Sequence, residues 1–265
     1  MTLERPVLFG VLNTTPDSFS DGGRYLDADA AIAHGRALVA DGAHVVDVGG
    51  ESTRPGADAV PEAEELRRAL PVVAALATEG VRVSIDTRSA AVAAEALAAG
   101  ATVVNDVSGG TADPRMLGTV AASSADLVLV HSRGAASTPP RYTDVVAEVR
   151  AELEARVAAA RAAGIADSRL VVDPGIGFAK GAAENWALLT RLDALRIDGI
   201  RLLVGVSRKR FLAALAPEGA PADARDLPTA VLSALLAERG VWALRVHDVA
   251  GTRAALDVAA AMGAR

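Results

Sequence analysis

The chain has 265 residues, a length that suits one closed α/β barrel or two small domains. Because 51% of its residues are hydrophobic, it can bury a large core, which excludes extended disorder. Its formal net charge of −6 argues against a nucleic-acid surface or a polybasic membrane patch, and favours a small-molecule substrate. The sequence has no cysteine, which excludes disulfides, thiolate catalysis and cysteine-ligated zinc.

The N-terminal apolar stretch is too short for the core of a signal peptide, and no uncharged apolar run of about 20 residues predicts a membrane span. We therefore expect a cytoplasmic protein.

Short runs rich in β-formers recur along the whole chain. The predicted strands are residues 7–12, 44–48, 81–85, 102–104, 127–130, 170–172, 201–204 and 243–246.

Segments with helical periodicity fill the intervals between these strands. They are residues 29–40, 62–78, 90–99, 116–123, 144–163, 184–191, 226–239 and 252–262. The alternation of strand and helix predicts a parallel sheet, and eight such units closing on themselves give a single-domain (β/α)8 TIM barrel over residues 1–265. An open doubly wound sheet is the alternative.

A polar residue follows every predicted strand, where the chain enters the next loop. Any one of these residues could be a helix cap or a turn former. In a parallel barrel, however, these strand ends lie on one face, so we expect the side chains to converge on one mouth, where barrel enzymes build their active sites. The residues are Asn13, the run 49–54, Asp86, Asn105 with Asp106, His131, Asp173, the run 207–209 and His247.

Four charged or titratable residues near these strand ends require partners. Arg245 and His247 are two residues apart in a strand and therefore point the same way. An inward-facing arginine needs an anion, which is either a structural carboxylate or a substrate phosphate, and the neighbouring histidine favours phosphate. Asp86 and Asp173 each close an apolar strand and are costly to bury without donors, which a ligand bearing N–H groups would supply.

The two lysines are a further clue, because they are the only lysines among 27 basic residues. Lys180 and Lys209 both follow predicted strands instead of lying on helix surfaces. Either a compact ammonium donor is needed at these positions, or the placement is chance. Ser207, which we predict to open a helix, would either offer backbone N–H groups to a small anion or act as a plain N-cap.

The loop after the first strand, residues 13–23, is long, ends in two glycines, and carries two aspartates and a phenylalanine. We interpret it as a mobile lid over the mouth, with a surface turn as the alternative. His34 and His44 are interpreted as surface or packing residues. His131 receives no assignment.

Seven segments resemble the dihydropteroate synthase family in the family's own order, and they span nearly the whole chain. Several are weak alone, but together they are highly specific. Two positions depart from the family's pattern: Val130, where a methionine often packs on the pterin, and Leu227-Pro228, where small polar residues are common. The segments are 12–23 (LNTTPDSFSDGG), 47–56 (DVGGESTRPG), 84–87 (SIDT), 105–110 (NDVSGG), 173–178 (DPGIGF), 205–212 (GVSRKRFL) and 245–248 (RVHD).

The resemblance implies a pterin-binding TIM barrel. Such an enzyme transfers the 7,8-dihydropterin-6-ylmethyl group from its diphosphate to p-aminobenzoate, and it forms 7,8-dihydropteroate and diphosphate in folate biosynthesis. The resemblance also implies Mg²⁺ as the cofactor, no redox cofactor, no nucleic-acid or membrane partner, a homodimer, and sulfonamides that compete with p-aminobenzoate. We expect a dissociative reaction in which diphosphate leaves before the arylamine attacks.

The resemblance further implies a role for each matching residue. The pterin would be bound by Asp86, Asn105, Asp173 and Lys209. The diphosphate would be bound by Asn13, Arg245 and His247, and Asn13 would also be a ligand of Mg²⁺. The p-aminobenzoate would be framed by Thr53, Arg54, Pro55, Phe178 and Ser207, and the residues that act in catalysis would be Asp21, Lys209 and Arg245. Two alternatives stay open. One is a pterin-dependent methyltransferase, which has no diphosphate to release, and the other is a paralogue that binds pterins or phosphates without turnover.

Overall fold

The computed structural model describes residues 5–14, 24–51, 60–133 and 142–263, and nothing is said of the side chains of residues 24–27. Within these residues, eight parallel strands form one closed barrel in sequence order, and the last strand pairs with the first. The strands are β1 Val7–Asn13, β2 Val45–Gly49, β3 Val83–Asp86, β4 Val103–Asp106, β5 Asp126–Val130, β6 Leu170–Asp173, β7 Arg201–Val204 and β8 Ala243–Val246. The predicted TIM barrel is confirmed, and the open-sheet alternative is wrong.

Helices on the outside of the barrel connect each strand to the next. They are α1 Arg24–Asp41, α2 Glu62–Thr78, α3 Ala90–Ala98, α4 Met116–Ala121, α5 Val145–Ala162, α6 Ala182–Thr190, α7 Asp226–Glu238 and α8 Val249–Gly263. The described residues also contain 3₁₀ helices at Asp167–Arg169, Leu192–Leu195, Arg210–Leu215 and Ala222–Arg225. None of the described helices is long and apolar enough to cross a membrane.

Helix α5 shows how the sequence sets these elements. Its N-cap, Asp144, accepts hydrogen bonds from the backbone N–H groups of Val146 and Ala147, which satisfies donors that have no partner inside the helix. The buried residues of α5 recur at helical spacing and face the barrel. Gly164 follows the helix with a φ of 93°, a left-handed conformation that favours glycine.

The inside of the barrel is apolar in its lower layer and polar at its mouth. Val45, Val103, Val171 and Ala243 belong to one buried cluster inside the barrel. Because side chains alternate across a strand, the residue two positions further along points inward as well. Those next inward positions on four strands hold Asp47, Asn105, Asp173 and Arg245. The period of the strands therefore places charged residues directly above the apolar layer.

All predicted strands and helices occur in the predicted order, with shifts at their ends. Asn13, Asp86 and Asp173 close their strands instead of following them, and Asn105 is the last residue but one of β4. The prediction that Ser207 opens a helix is wrong. Ser207 lies in a turn after β7, and the 3₁₀ helix begins only at Arg210.

Candidate active site

Four residues at the mouth form one buried, hydrogen-bonded cluster. Arg245 Nε donates to Asp47 Oδ2 at 2.6 Å, and Arg245 Nη2 donates to Asp86 Oδ2 at 2.7 Å. Asn105 Nδ2 donates to the same oxygen of Asp47 at 3.2 Å. The side chain of Arg245 is 18% exposed, and those of Asp47 and Asp86 are 0% and 3% exposed. In this structure the anion that faces Arg245 is therefore a pair of carboxylates, one of the two alternatives that the sequence left open.

The cluster leaves three of its oxygen atoms without a partner among the described residues. Oδ1 of Asp47, Oδ1 of Asp86 and Oδ1 of Asn105 are buried and accept no hydrogen bond there. A buried acceptor without a donor costs on the order of 1–3 kcal/mol. The three acceptors lie on neighbouring side chains, and a ligand with several N–H groups could satisfy them.

Burial and charge act against each other at Asp86. Burial raises the pKa of the Asp86 carboxyl, and the nearby Asp47 carboxylate raises it further, whereas the Arg245 guanidinium lowers it. The ion pair with Arg245, at 2.7 Å, keeps a negative charge at this position favourable. Asp86 therefore combines a charged oxygen held by arginine with a second oxygen available to a ligand.

Asp173 lies at the end of β6, on another side of the mouth. Its Oδ1 accepts the backbone N–H of Gly175 at 2.7 Å, and burial raises its pKa to about 6. A Cβ placed on Gly205 would lie 3.6 Å from Asp173 Oδ2 and 3.7 Å from Arg245 Cβ. The strand β7 thus reaches the mouth between Asp173 and Arg245, so the two residues flank the same region.

Lys209 and Phe178 come together beside Asp173. The Lys209 Nζ atom lies 4.0 Å from the centre of the Phe178 ring, which is a cation–π contact. Burial lowers the pKa of Lys209 to about 8, and Arg245 lowers it as well, while Asp173 and Asp86 raise it. Lys209 is therefore a cation held between an aromatic ring and the two aspartates.

Ser207 and His247 form a pair next to Lys209. The backbone N–H of His247 donates to Ser207 Oγ at 3.1 Å, and Ser207 Oγ lies 2.9 Å from His247 Nδ1. A hydroxyl has one donor and two acceptor sites, so Ser207 can accept the backbone bond and still form a hydrogen bond with Nδ1. Arg208 has a left-handed φ of 57° in the same turn and donates to Asp226 twice, at 2.7 Å each. This ion pair fixes the turn that presents Ser207 and Lys209.

Asn13 lies on the first strand at the same face. It pairs in register with Gly49, and Gly49 pairs with Asp86. A Cβ placed on Gly49 would lie 3.8 Å from Asn13 Oδ1 and 3.6 Å from the Asp86 Cβ. The strand register thus places Asn13 and Asp86 on either side of a residue without a side chain.

Not every predicted residue joins this site. Asp106 accepts the backbone N–H groups of Ser108 and Gly110 and so serves the loop after β4. His131 is buried against Glu152 and Lys180 instead of facing the mouth. The predictions for Asp21, Thr53, Arg54 and Pro55 fall outside the described residues, as does most of the proposed lid.

Asp47 is a site residue that the sequence reasoning did not single out. It lies two residues before the end of β2, whereas the residues predicted for the site follow the ends of the predicted strands. Alternation along the strand was the available signal, because Asp47 follows the inward-facing Val45 by two positions. A buried aspartate in a run of valines also indicates a charged partner.

Comparison with known proteins agrees with this geometry. Residues 9–247 match the family of pterin binding enzymes. A dihydropteroate synthase from Mycobacterium leprae is 53% identical, over 100% of this chain and 95% of that protein. A Xanthomonas albilineans dihydropteroate synthase solved with 4-aminobenzoic acid is 45% identical with a TM-score of 0.93, over 100% of this chain and 96% of that one. A structure from the same organism in complex with 7,8-dihydropteroate is 41% identical with a TM-score of 0.89, over the same shares. The chain therefore belongs to the pterin binding enzyme family, and within it to the dihydropteroate synthases, which are transferases.

Proposed function

We propose that this chain transfers the 7,8-dihydropterin-6-ylmethyl group from its diphosphate to p-aminobenzoate and releases diphosphate. The observation that carries the proposal is the set of three buried oxygens without donors, on Asp47, Asp86 and Asn105. The amino group and ring N–H groups of a dihydropterin are donors along one edge of a flat molecule. Three acceptors on neighbouring side chains suit that edge and do not suit an anion.

The pterin would lie between this cluster and the β6–β7 side of the mouth. Asp86 and Asn105 would accept from its N–H edge, as would Asp173. Lys209 would donate to an acceptor atom of the pterin, because its ammonium group is held over Phe178 close to Asp173. Val130, which pairs in register with Asp173, supplies apolar surface there.

The diphosphate would lie at the Arg245 end of the site. The guanidinium group has five N–H donors, and only two of them bond the described carboxylates, Asp47 and Asp86. The remaining donors can serve a phosphate while the two ion pairs hold the plane of the group. The Ser207 hydroxyl holds the ring of His247 at the same strand end, next to Arg245 in sequence.

Asn13 is the residue that we propose as a Mg²⁺ ligand. The described residues contain no group of three or more acidic, histidine or cysteine side chains that would hold a metal ion. The side-chain oxygen of Asn13 nonetheless fits magnesium, since Mg²⁺ commonly binds one or two protein oxygens together with substrate phosphates. When bound, the ion would neutralise charge on the leaving diphosphate.

Among the described residues, Phe178 supports the binding of p-aminobenzoate, because its ring lies on the Lys209 side of the mouth. No helix begins at Ser207, so the carboxylate of p-aminobenzoate has no helix N-terminus to bind at that residue. Ser207 can still contact the substrate through its turn. The contributions of Thr53, Arg54 and Pro55 stay predictions. Competition between a sulfonamide and p-aminobenzoate also stays a prediction, and inhibition kinetics would test it.

The reaction that we propose breaks the bond from the methylene carbon to the diphosphate oxygen, and then forms a bond from that carbon to the arylamine nitrogen. Arg245 would stabilise the negative charge on the leaving group through the donors that do not bond Asp47 or Asp86. Asp86 and Asp173 hold the pterin ring that shares the positive charge. Asp21 is proposed to place a further carboxylate near the methylene. The arylamine finally loses one proton, and no covalent intermediate with the protein is needed.

A direct assay tests the proposal. Purified protein is mixed with Mg²⁺, the pterin diphosphate and p-aminobenzoate, and dihydropteroate and diphosphate are measured. We expect Mg²⁺-dependent product from the wild type. We expect a loss of kcat/KM of about tenfold to a hundredfold in Asp173→Asn and in Lys209→Met, because each removes a charge-assisted bond worth on the order of 1.5–3 kcal/mol. Asp193→Asn, whose side chain is 78% exposed, is the control.

The outcomes separate the alternatives. Pterin binding without product formation would support a non-catalytic paralogue. Methyl transfer from an added methylated pterin, with no release of diphosphate in the first assay, would support a pterin-dependent methyltransferase. Diphosphate release in the absence of p-aminobenzoate would support a dissociative reaction, whereas strict dependence on p-aminobenzoate would favour a concerted one.

We also propose a homodimer and one pterin-binding domain over residues 1–265. Support for the homodimer comes from five exposed large apolar residues on two neighbouring helices: Leu227, Val231 and Leu235 on α7, and Val258 and Met262 on α8. The first three are spaced four residues apart and so lie along one face of α7. A second copy of the chain would cover this face. The cytoplasmic location stays a prediction from the sequence.

A further inference from the structure

Lys180 has no part in the proposed reaction, yet its ammonium group is bonded on three sides. Its Nζ atom lies 2.9 Å from His131 Nδ1, 3.0 Å from the carbonyl oxygen of Gly175 and 3.1 Å from that of Phe178. An ammonium group has three N–H donors, so three acceptors satisfy it fully. Both carbonyls belong to the loop after β6, which carries Phe178.

His131 is the acceptor that ties Lys180 to the rest of the barrel. Its side chain is 0% exposed, and its Nε2 atom lies 2.9 Å from Glu152 Oε2. Since the carboxylate accepts, the ring proton lies on Nε2 and Nδ1 is left to accept from Lys180. Burial, together with the Lys180 and Arg156 charges, lowers the pKa of His131 to about 2, so the ring is neutral.

Glu152 is itself fixed on the outer helix α5. Its Oε1 accepts from Arg133 Nε at 2.8 Å, and Arg133 Nη2 also donates to Glu148 Oε2 at 2.6 Å. The chain of hydrogen bonds thus runs from α5 through Glu152 and His131 to Lys180. It connects a rigid helix to the loop at the mouth.

The loop that Lys180 holds is tightly folded. Gly175, Gly177 and Ala179 have φ values of 66°, 80° and 52°, so three of its residues are left-handed, and Ala179 carries a side chain that disfavours this conformation by on the order of 1–3 kcal/mol. A Cβ on Gly177 would lie 2.8 Å from Lys209 Cδ, so the loop packs directly on the Lys209 side chain. The bonds of Lys180 to the two loop carbonyls offset the strain of this conformation.

We propose that Lys180 is a positioning residue: with neutral His131 as its anchored acceptor, it fixes the loop after β6 so that the Phe178 ring is held against Lys209 and toward p-aminobenzoate. The p-aminobenzoate part of this inference rests on the proposed function. The position of the loop does not.

This role explains why lysine occurs at position 180 in a chain that otherwise uses arginine except at Lys209. The three acceptors surround a single nitrogen atom, which an ammonium group matches and a planar guanidinium fork does not. Burial lowers the pKa of Lys180 to about 7, and Asp173 opposes this shift. Either protonation state keeps N–H groups for the two loop carbonyls.

Steady-state kinetics provide the functional test. We expect Lys180→Met to raise KM for p-aminobenzoate about tenfold or more, the equivalent of one lost charge-assisted bond, with KM for the pterin diphosphate changed less than about twofold. Lys180→Arg should resemble Lys180→Met. Asparagine at position 131 retains an acceptor near Nδ1, whereas glutamine retains only a donor near Nε2. His131→Asn should therefore stay near wild type, and His131→Gln should behave like Lys180→Met.

Amide hydrogen exchange provides a readout that needs no turnover. We expect the backbone amides of residues 177–181 to exchange about tenfold or more faster in Lys180→Met or, if that variant does not fold, in His131→Gln, while those of β5 and α5 are unchanged. If the loop amides are unchanged, or if both KM values rise equally, the positioning role is overturned. Faster loop exchange in a protein whose wild type makes no dihydropteroate would keep the loop role and overturn only the proposed function.

Discussion

Asp47 is the residue on which the charge balance of the mouth depends. It is fully buried and accepts from both Arg245 and Asn105 through one oxygen. Without its negative charge, Arg245 would keep only Asp86 as a partner, and a buried cation that loses a partner destabilises a protein strongly. Asp47 therefore contributes both to folding and to the direction in which Arg245 points.

Replacing this residue separates the two contributions. We expect Asp47→Asn to lower the free energy of unfolding by about 2–4 kcal/mol, measured by urea denaturation, and to raise KM for the pterin diphosphate. Asp126→Asn is the matched control, because Asp126 also pairs with two arginines, Arg82 and Arg201, but lies at the start of β5. It should lower stability and leave KM unchanged. Equal effects on KM would show that Asp47 acts through stability alone.

His131 should leave a signature in the pH dependence of stability. Its pKa is about 2 in the folded protein and about 6.5 in the unfolded chain, so between these values the unfolded state binds one more proton. Stability from this residue is therefore present above pH 6.5 and is lost as the pH falls, by about 1.4 kcal/mol per pH unit. Urea denaturation of wild type and His131→Asn from pH 4.5 to 8 measures the difference.

The asparagine variant lacks this titration. We expect the two stability curves to run parallel above about pH 7.5, where both side chains are neutral, and to converge as the pH falls below 6.5. The parallel region is an internal control for the packing cost of the substitution. Curves that stay parallel down to pH 4.5 would show that His131 is not held neutral by its surroundings.

At the scale of elements, the strands explain both what the sequence predicts and what it leaves open. Their apolar content and their alternation with helices predict the barrel, and the residues at their ends predict Asp86, Asn105 and Asp173. The partner of Arg245 was not predictable, because Asp47 lies 198 residues away. Register alone aligns Asn105 with Asp86, whereas the hydrogen bond goes to Asp47 on the next strand but one.

The turn after β7 shows how tertiary contacts override a local pattern. A serine in the loop after a strand is typical of a helix N-cap, but Arg208 is left-handed and its guanidinium group pairs with Asp226 on α7. The backbone carbonyl of Arg208 also accepts from Arg225 at 2.8 Å. These contacts reach across 17 or 18 residues of sequence, which a local window does not cover.

We expect Asp226→Asn to displace this turn, and Lys209 with it. KM for the pterin diphosphate should rise about tenfold, the equivalent of roughly 1.4 kcal/mol, because a half-buried two-point ion pair is lost. Asp167→Asn is the matched control, since Asp167 makes the same kind of pair with Arg161, at 2.7 and 2.8 Å, away from the mouth. An unchanged KM in Asp226→Asn would show that the turn keeps its shape without the pair.

For the molecule as a whole, the closed barrel brings residues from seven strands and their loops to one mouth. The outer helices are not needed at the mouth and can present a surface for binding another protein. The five residues Leu227, Val231, Leu235, Val258 and Met262 are exposed on α7 and α8, among eight large apolar residues exposed in the described part of the chain. Apolar surface concentrated in this way is typical of a protein–protein interface. Sequence periodicity identified these helices, but it did not show that the apolar stripe of α7 faces outward.

The dimer proposal can be tested on this face alone. Val231→Glu places a charge in the centre of the α7 stripe, where burial without a partner is strongly unfavourable, so we expect the variant to sediment as a monomer at concentrations where the wild type is a dimer. Leu215→Glu is the control, because Leu215 is 59% exposed but lies in the 3₁₀ helix Arg210–Leu215, outside this face. A wild type that sediments as a monomer, or a Val231→Glu variant that remains dimeric, would contradict the assignment. Because the mouth is built from one chain's strands, the monomeric variant should keep its affinity for the pterin diphosphate.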